Sequence, residues 1–332
     1  MREAAASIVI GSLESLKPNR DELRFFAKEK IPGFVLFKRN ISQDDFHSLP
    51  SQLIKRLYDS RNDKTPLLIA VDQEGGRVRR LPSPFPNEGC AIRAGVFADN
   101  DREFLFNYGK EVGTELKKLR INVNFAPCVD ILTNPLNVGI GDRSFGVRAE
   151  QVVRRAGSFL EGMQSAGVWG CLKHFPGQGS ELSDTHNEKV TVPLSKETLM
   201  QREMMPYKQL LYSAKMVMVS HCIFSSLDSK SASLSRIVIS DLLLKELAYT
   251  GLVLSDDMNM KAIAQDTQLW GEAIVEAIAA GTNAVLVCSG FENWVHAIEA
   301  IEVQARRSEA FANLLYTSAE KMQNFRINYL QT

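Results

Sequence analysis

Residues 251–260, GLVLSDDMNM, join a run of apolar residues to two adjacent carboxylates. A continuous apolar run of this length is typical of a strand buried on both faces, as in a parallel sheet. The same pattern, an apolar run that ends in polar residues or glycine, occurs seven more times. These runs are SIVIGSL (7–13), GFVLFKRN (33–40), LLIAVDQEGG (67–76), INVNFAPCVDI (121–131), VWGCLKHFPG (168–177), MVMVSHCIF (216–224) and NAVLVCSG (283–290).

Helical patterns lie between these runs. Asn19 and Glu22 have the spacing of a capping box, which predicts a helix start. Two further patterns with apolar residues at helical spacing end at Gly167 and Gly281. Another helix, opened by Asn100 and Glu103, carries an apolar stripe of Leu105, Tyr108, Val112, Leu116 and Leu119.

Eight strands that alternate with helices predict an α/β fold, a single (β/α)8 TIM-type barrel that occupies residues 1–332. The longest connections follow strands 3, 4 and 5, and loops at the C-terminal ends of barrel strands carry the active site. A doubly wound sheet is the alternative fold. It is the weaker alternative because no GxGxxG sequence follows the first strand.

Composition excludes several classes of protein. The chain has 332 residues, and its 39 Lys and Arg balance its 39 Asp and Glu. A general nucleic-acid binder would carry a basic excess, and a disordered chain would not be 45% hydrophobic. Because no run approaches the roughly 18 apolar residues of a membrane span, we expect neither a nucleic acid nor a membrane as a partner.

The cysteines and the N-terminus indicate in which cellular compartment the protein acts. Five cysteines, an odd number without a CxxC pair, argue against a disulfide scaffold or a zinc ribbon. Reduced, buried thiols suit the cytoplasm, which is the location that we predict. Residues 1–13 lack the basic region of a signal peptide, and we expect them to lead into the first strand.

Polar side chains stand at the ends of five consecutive predicted strands, the third to the seventh. If the barrel is correct, all of them converge on one rim. Charges in such apolar runs are costly unless they are paired or used in chemistry. They are Asp72, Asp130, Lys173 with His174, His221, and Asp256 with Asp257.

Asp256 and Asp257 are adjacent, so their side chains point to opposite sides of the strand and only one faces the barrel mouth. A carboxylate held among Arg143, Lys173 and His174 should have a lowered pKa. Such an anion suits a nucleophile, a metal ligand or a counter-ion to a cationic transition state. For Asp257 we favour a supporting role or a place at a helix start.

Residues 173–188, KHFPGQGSELSDTHNE, form a segment rich in turn residues. Asp184 and His186 are two positions apart, so in an extended loop they lie on one side and the carboxylate can orient and charge the imidazole. Such a pair can carry a proton into and out of a covered site. The simpler interpretation is a polar surface loop.

Two further motifs offer ligand-binding groups. In DQEGGRVRRL (72–81), Asp72 can grip sugar hydroxyls with support from Arg80, and two glycines let the backbone pass close to a ligand. In GIGDRSFG (139–146), Arg143 lies in a loop bracketed by glycines. The alternative for Arg143 is a structural ion pair with Asp142 or another loop acid.

Taken together, KHFPGQG with the later Asp-Thr-His, DQEGGRV, NVGIGDRSFG and SDDMNM resemble glycoside hydrolase family 3. The resemblance runs in order from about residue 7 to residue 290 and is strongest to the single-domain bacterial β-N-acetylglucosaminidases of peptidoglycan recycling. It implies a (β/α)8 barrel, in agreement with the strand count. We expect no cofactor and no metal ion.

The resemblance also implies roles for individual residues. Asp256 would be the nucleophile, and His186 the general acid/base with Asp184 as its partner. The terminal sugar would be bound by Asp72, Arg80, Arg143, Lys173 and His174. The chain departs from the motifs at two positions: Gln178 replaces a frequent histidine and Thr185 a frequent serine. Neither change removes a catalytic group.

The expected activity is that of a monomeric, retaining β-N-acetylhexosaminidase that removes terminal β-linked GlcNAc from GlcNAc–anhydro-muramoyl peptide fragments. Two other family 3 activities are alternatives, those of a β-glucosidase and of a phosphorylase. The phosphorylase is an alternative because a neutral imidazole does not repel an incoming phosphate. Three other hypotheses are a metal-dependent hydrolase that uses His174, His221 and Asp256, a Schiff-base lyase that uses Lys173, and a non-catalytic sugar-binding barrel.

Overall fold

The structure, a computed structural model, describes residues 1–42, 45, 49–61, 63, 65–83, 85–86, 102–181, 189–263 and 267–330. Eight parallel strands close into a barrel in which each pairs with its neighbours in chain order and the first pairs with the last. The strands are β1 (Val9–Gly11), β2 (Gly33–Leu36), β3 (Leu68–Val71), β4 (Val123–Asn124), β5 (Trp169–Phe175), β6 (Met216–Val219), β7 (Leu252–Asp257) and β8 (Ala284–Val287).

The predicted (β/α)8 barrel is therefore confirmed, and each of the eight apolar runs supplies one strand. Val9 lies opposite Val285 where β1 meets β8, and Met216 lies opposite Leu252 where β6 meets β7. Strand residues are buried almost throughout because side chains fill the inside of the barrel while helices cover the outside.

Helices occupy the connections between the strands. They are α1 (Arg2–Ala6), α2 (Arg20–Glu29), α3 (Leu49–Asp59), α4 (Arg102–Lys118), α5 (Ala149–Ser165), α6 (Lys196–Thr198), α7 (Met205–Leu210), α8 (Thr267–Ala280), α9 (Phe291–Arg307) and α10 (Glu309–Tyr329). Short 3-10 helices span Lys38–Asn40, Gly141–Arg143 and Ala232–Leu234, and π-helices span Leu199–Glu203 and Ile237–Glu246. A separate two-stranded sheet pairs Thr191–Val192 with Ile223–Phe224.

Local signals in the sequence match the helix ends. The Asn19 side chain accepts a hydrogen bond from the amide of Glu22, and the Glu22 carboxylate accepts one from the amide of Asn19, which completes the predicted capping box. Asn100 lies outside the described residues, but the predicted stripe on α4 is buried. Gly167 and Gly281, both at positive φ, follow α5 and α8 as predicted.

The first apolar run differs from its prediction. Residues 7–13 were expected to form one strand, yet β1 covers only Val9–Gly11 and a short helix, α1, occupies the residues before it. The residues outside β1 are buried against the core as well; the carbonyl of Ile8 still accepts from the amide of Val285 in β8, whereas the carbonyl of Leu13 accepts from the side chains of Arg39 and Asn40. In this run, apolar residues therefore indicate which positions are buried, but not which of them belong to the strand.

Four cysteines, Cys128, Cys171, Cys222 and Cys288, are buried and free, as expected of reduced thiols, and Cys90 lies outside the described residues. Within the described part of the chain, no helix has both the length and the apolar composition to cross a bilayer.

Candidate active site

A cavity of about 180 Å³ opens at the C-terminal mouth of the barrel. All five predicted sugar-binding residues line it, together with Asp256. They reach it from the ends of β3, β5 and β7 and from the loops after β3 and β4. Among the described residues, those that line the cavity with a charged or imidazole side chain are Asp72, Glu74, Arg80, Arg143, Lys173, His174, Asp256 and Asp257.

Asp72 follows β3 and faces two cations. Lys173 Nζ donates to Asp72 Oδ1 over 2.8 Å, and Arg80 Nη2 donates to Asp72 Oδ2 over 3.3 Å. The predicted support of Asp72 by Arg80 is therefore present. Because Asp72 is partly exposed to the cavity, its oxygens can accept hydrogen bonds from a ligand as well.

Glu74 also lines the cavity, and the sequence motifs predicted no role for it. Arg143 donates to it through Nε over 2.8 Å and through Nη2 over 2.9 Å, and Lys173 Nζ lies 2.6 Å from Glu74 Oε1. Burial would raise the pKa of Glu74, but the charges of Arg143 and Lys173 outweigh it and hold the pKa well below its usual range. A signal was available, since Glu74 lies two residues after Asp72 in a segment that leaves a strand.

Arg143 forms the ion pair expected as an alternative, but with another loop acid, Glu74, rather than with Asp142. Asp142 Oδ1 lies 3.3 Å from Arg77 Nε, whereas Arg143 turns inward to Glu74. Lys173, between Asp72 and Glu74, is 2% exposed. Burial would lower its pKa, but the two carboxylates raise it. A Schiff-base lyase needs a lysine of lowered pKa, so this environment argues against that hypothesis.

Asp130 does not reach the rim as expected; it lies behind His174. Its Oδ2 accepts from the amide and from Nδ1 of His174, at 3.1 and 2.8 Å, and its Oδ1 accepts from the amide of Gln178 at 2.8 Å. On its other side, His174 Nε2 lies 3.2 Å from Arg143 Nη2. Strand β4 ends at Asn124, so a further stretch of loop carries Asp130 beneath the pocket, where it fixes the His174 ring.

Asp256 and Asp257 end β7, and their carboxylates differ in surroundings. Burial alone would raise the pKa of Asp256, but His174, His221, the amide of Asp257 and Lys173 together hold it below its usual value. Asp257 Oδ1 instead accepts from the amides of Asn259 and Cys288, and burial raises its pKa to about 6. The expected supporting role of Asp257 agrees with these contacts.

His221 also lies behind the rim rather than on it. Its Nδ1 is 2.7 Å from Ser233 Oγ, and its Nε2 is 3.1 Å from the carbonyl oxygen of Asp257. It is not among the described residues that line the cavity, but it lies close enough to Asp256 for its charge to lower the pKa of that carboxyl. Strand β6 ends at Val219, and the chain beyond it turns His221 toward the backbone of β7.

The proposed metal ligands His174, His221 and Asp256 do not form a cluster. In the described part of the chain, one group offers three ligand atoms within 4.8 Å of one another, and it consists of Cys128, Asp130 and His174. These residues already bond to each other, since Cys128 Sγ donates to Asp130 over 3.2 Å and His174 holds the same oxygen. The arrangement is that of a buried hydrogen-bond network.

An apolar wall completes the cavity. Phe37 lies between two guanidinium groups, with Arg39 4.7 Å and Arg80 5.4 Å from its ring centroid. Such contacts stabilise a ring and an Arg side chain together. The other apolar or sulfur-bearing lining residues are Val35, Val78, Phe125, Met218, Met260, Leu286 and Cys288.

The predicted acid/base pair, Asp184 and His186, lies outside the described residues.

Solved structures resemble this barrel closely. A glycoside hydrolase family 3 β-N-acetylglucosaminidase from Paenibacillus sp. str. FPU-7 superposes with a TM-score of 0.86 at 32% identity and covers 98% of this chain. This chain spans 62% of that longer protein. A β-N-acetylhexosaminidase from Beutenbergia cavernae gives a TM-score of 0.87 at 25% identity, with 98% of each chain covered.

Sequence comparison leads to the same group. A β-hexosaminidase from Mannheimia succiniciproducens is 33% identical over 293 residues, 86% of this chain and 81% of that protein. A β-hexosaminidase from Haemophilus influenzae is 30% identical over 302 residues, 90% of this chain and 84% of that protein. Residues 6–324 match the N-terminal domain of glycosyl hydrolase family 3. With a closed eight-stranded barrel and a cavity at the end of its strands, this chain belongs to glycosyl hydrolase family 3.

Proposed function

We propose that this protein is a retaining exo-β-N-acetylhexosaminidase in which Asp256 is the nucleophile. The activity is supported by the relatives named above, several of which are β-hexosaminidases. The role of Asp256 is supported by its place at the end of β7, on the cavity, with a lowered pKa. An ionised carboxylate beside a sugar ring is what a retaining glycosidase needs.

The charges around the cavity suit a neutral sugar. Asp72 offers acceptor oxygens, while Lys173 and Arg80 offer donors on either side of it. Each cation is matched by a carboxylate, since Glu74 neutralises Arg143 and part of Lys173. Side chains fill the barrel interior and close the inner end of the cavity, which suits the binding of a terminal sugar residue.

The reaction runs in two steps. Asp256 forms a bond to the anomeric carbon as the bond to the leaving oxygen breaks, and His186, held by Asp184, gives its proton to that oxygen. His186 then takes a proton from water, whose oxygen bonds to the anomeric carbon as the ester to Asp256 breaks. Asp72, Arg80, Arg143, Lys173 and His174 hold the sugar during both steps.

The finer parts of the proposal concern the substrate and the cell. We infer that the natural substrate is a GlcNAc-containing muropeptide released from peptidoglycan, and that a single barrel domain, residues 1–332, acts on it as a cytoplasmic monomer. The reduced, buried cysteines are compatible with that compartment.

A panel of aryl β-glycosides tests the activity. We expect release of the aryl group from the β-GlcNAc substrate, far slower release from β-glucoside and β-xyloside, and the same rate with or without inorganic phosphate. A glucoside preference would indicate a β-glucosidase. Formation of a sugar 1-phosphate would indicate a phosphorylase, and binding of GlcNAc without any turnover would indicate a non-catalytic barrel.

A further inference from the structure

The chain between β5 and residues 182–188 is a buried, tightly held tract. Residues 176–181 follow β5 directly and end where the segment with Asp184 and His186 begins. Gln178 is 4% exposed and Glu181 is 1% exposed, which is unusual for such side chains unless they have partners. Gly179 passes so close to the loop after β4 that a Cβ atom there would lie 1.7 Å from Ile131 O.

The backbone of this tract is held from the loop after β4. Asp130 accepts from the amide of Gln178, and the Asn137 side chain donates to the carbonyl of Gln178 over 2.9 Å. The Asn134 side chain donates to the carbonyl of Glu181 over 2.8 Å. Glu181, the last described residue before residues 182–188, is therefore held by this hydrogen bond to its carbonyl group as well as by its burial.

The side chains of the tract are held from the end of β6. Ser220 Oγ donates to Gln178 Oε1, and Cys222 Sγ lies 3.4 Å from the same oxygen. Cys222 Sγ also donates to Glu181 Oε2 over 2.7 Å. Burial and the Glu181 carboxylate both raise the pKa of Cys222, so the thiol keeps its proton and acts as a donor.

Residues 220–222 connect two parts of the site. Ser220 and Cys222 face the tract, whereas His221, between them, turns to the carbonyl of Asp257 next to Asp256. This alternation is that of extended chain, in which side chains two positions apart share a side. The same three residues thus contact the tract that precedes the predicted acid/base pair and the strand that carries the predicted nucleophile.

We propose that Gln178, Glu181 and Cys222 are positioning residues for the proton-transfer step assigned to His186, and that they act through residues 176–181. The proposal rests on the proposed function. Gln178, which stands where the motif often has histidine, contributes an amide oxygen that accepts from Ser220 Oγ and lies 3.4 Å from Cys222 Sγ. None of the three is proposed to touch the sugar.

The test compares two substrates that differ in their need for protonation. Release of 4-nitrophenolate from an aryl β-GlcNAc needs little acid assistance, whereas release of phenol depends on it. For Gln178→Met and Cys222→Ala, we expect kcat/KM for the phenyl substrate to fall roughly ten- to hundredfold, because small misplacements of a catalytic group carry penalties of this size. The fall for the nitrophenyl substrate should be several-fold smaller. Cys222→Ser, which keeps a donor, should restore most of the phenyl activity.

The matched control is Ser158→Ala, which removes a buried hydroxyl from α5 that donates to the carbonyl of Arg154. It should leave the ratio of the two rates unchanged. Thermal unfolding of each variant shows that the fold is kept, and Glu181→Gln offers a second route if Gln178→Met does not fold. Equal losses on both substrates, or no loss on either, would overturn the positioning role. A wild-type protein inactive on both substrates would instead remove the proposed function, and the positioning role with it.

Discussion

Lys173 Nζ lies 2.6 Å from Glu74 Oε1, and both side chains are only 2% exposed. Lys173 also reaches Asp72, and Glu74 also receives two hydrogen bonds from Arg143. The floor of the cavity is thus a buried, alternating chain of charges. Removal of one member of such a chain leaves its neighbours charged and buried, which costs far more than the loss of a surface pair.

We expect Glu74→Gln to lower the free energy of unfolding by about 3 kcal/mol, because Arg143 and part of Lys173 lose their counter-charge. Urea denaturation at pH 7 measures this change. Glu115→Gln is the matched control, since Glu115 pairs with Lys118 on the surface over 2.6 Å and its loss should stay within about 0.5 kcal/mol. Similar small changes in both variants would contradict the account of the pocket floor.

Asp256→Asn should abolish turnover of an aryl β-GlcNAc while the protein stays folded, because an amide cannot attack the anomeric carbon. Loss of one member of a catalytic constellation lowers kcat by several orders of magnitude. Asp257→Asn is the comparison, and it should keep substantial activity, since Asp257 Oδ1 is already engaged by the backbone amides of Asn259 and Cys288. Trapping with a fluorinated GlcNAc analogue, followed by peptide mass mapping, should label Asp256 and no other residue.

His186→Ala should impair substrates with poor leaving groups far more than activated ones, because only the former need a proton in the first step. Asp184→Asn should act in the same direction but less strongly, as the imidazole remains. The measurement is kcat/KM against the acidity of the leaving phenol. Equal losses across the series would rule out the acid/base assignment.

Glu203 predicts a pH dependence of stability. It is buried at the end of the π-helix Leu199–Glu203, where its Oε1 pairs with Arg202 and its Oε2 has no partner among the described residues. Burial raises its pKa to about 7. A carboxyl whose folded pKa is raised favours the folded state when protonated, so its contribution is lost as pH rises from its unfolded pKa through the folded one.

Urea denaturation between pH 5 and pH 8 should therefore show the wild type losing stability as the pH rises, by on the order of 1 kcal/mol per pH unit in the steepest part. Glu203→Gln should lose less over this range, and the two curves should approach each other at pH 5. Parallel curves for the two proteins would contradict the raised pKa of Glu203.

Much of the fold could be predicted from sequence because its signal is local. Each buried parallel strand is a continuous apolar run, and eight such runs separated by helical patterns allow few architectures. Strand limits were less accurate: Leu13, for example, is buried beyond the end of β1, and its carbonyl accepts from side chains rather than from a neighbouring strand. Apolar character reports burial, whereas pairing also depends on where the neighbouring strand ends.

The site was predictable where a residue's role follows from its position at a strand end. Asp72, Lys173, His174 and Asp256 line the cavity for this reason. Glu74 could not be assigned, because its importance comes from partners on the loop after β4 and on β5 that only the folded chain brings together. For the same reason the contacts of Asp130 and His221 could not be predicted. Asp130 is bonded to the His174 ring, and His221 contacts the carbonyl oxygen of Asp257.

The consecutive contacts of Ser220, His221 and Cys222 bear on how this catalyst would tolerate thermal fluctuation. Because the three residues are neighbours in the chain, a displacement of this strand end carries its contacts to Gln178 and to Asp257 in the same direction. Gln178 and Asp257 then shift together, and the distance between them changes little. The three neighbours thus form one mechanical link between residues 176–181 and the end of β7, so motion of this strand end is shared by both.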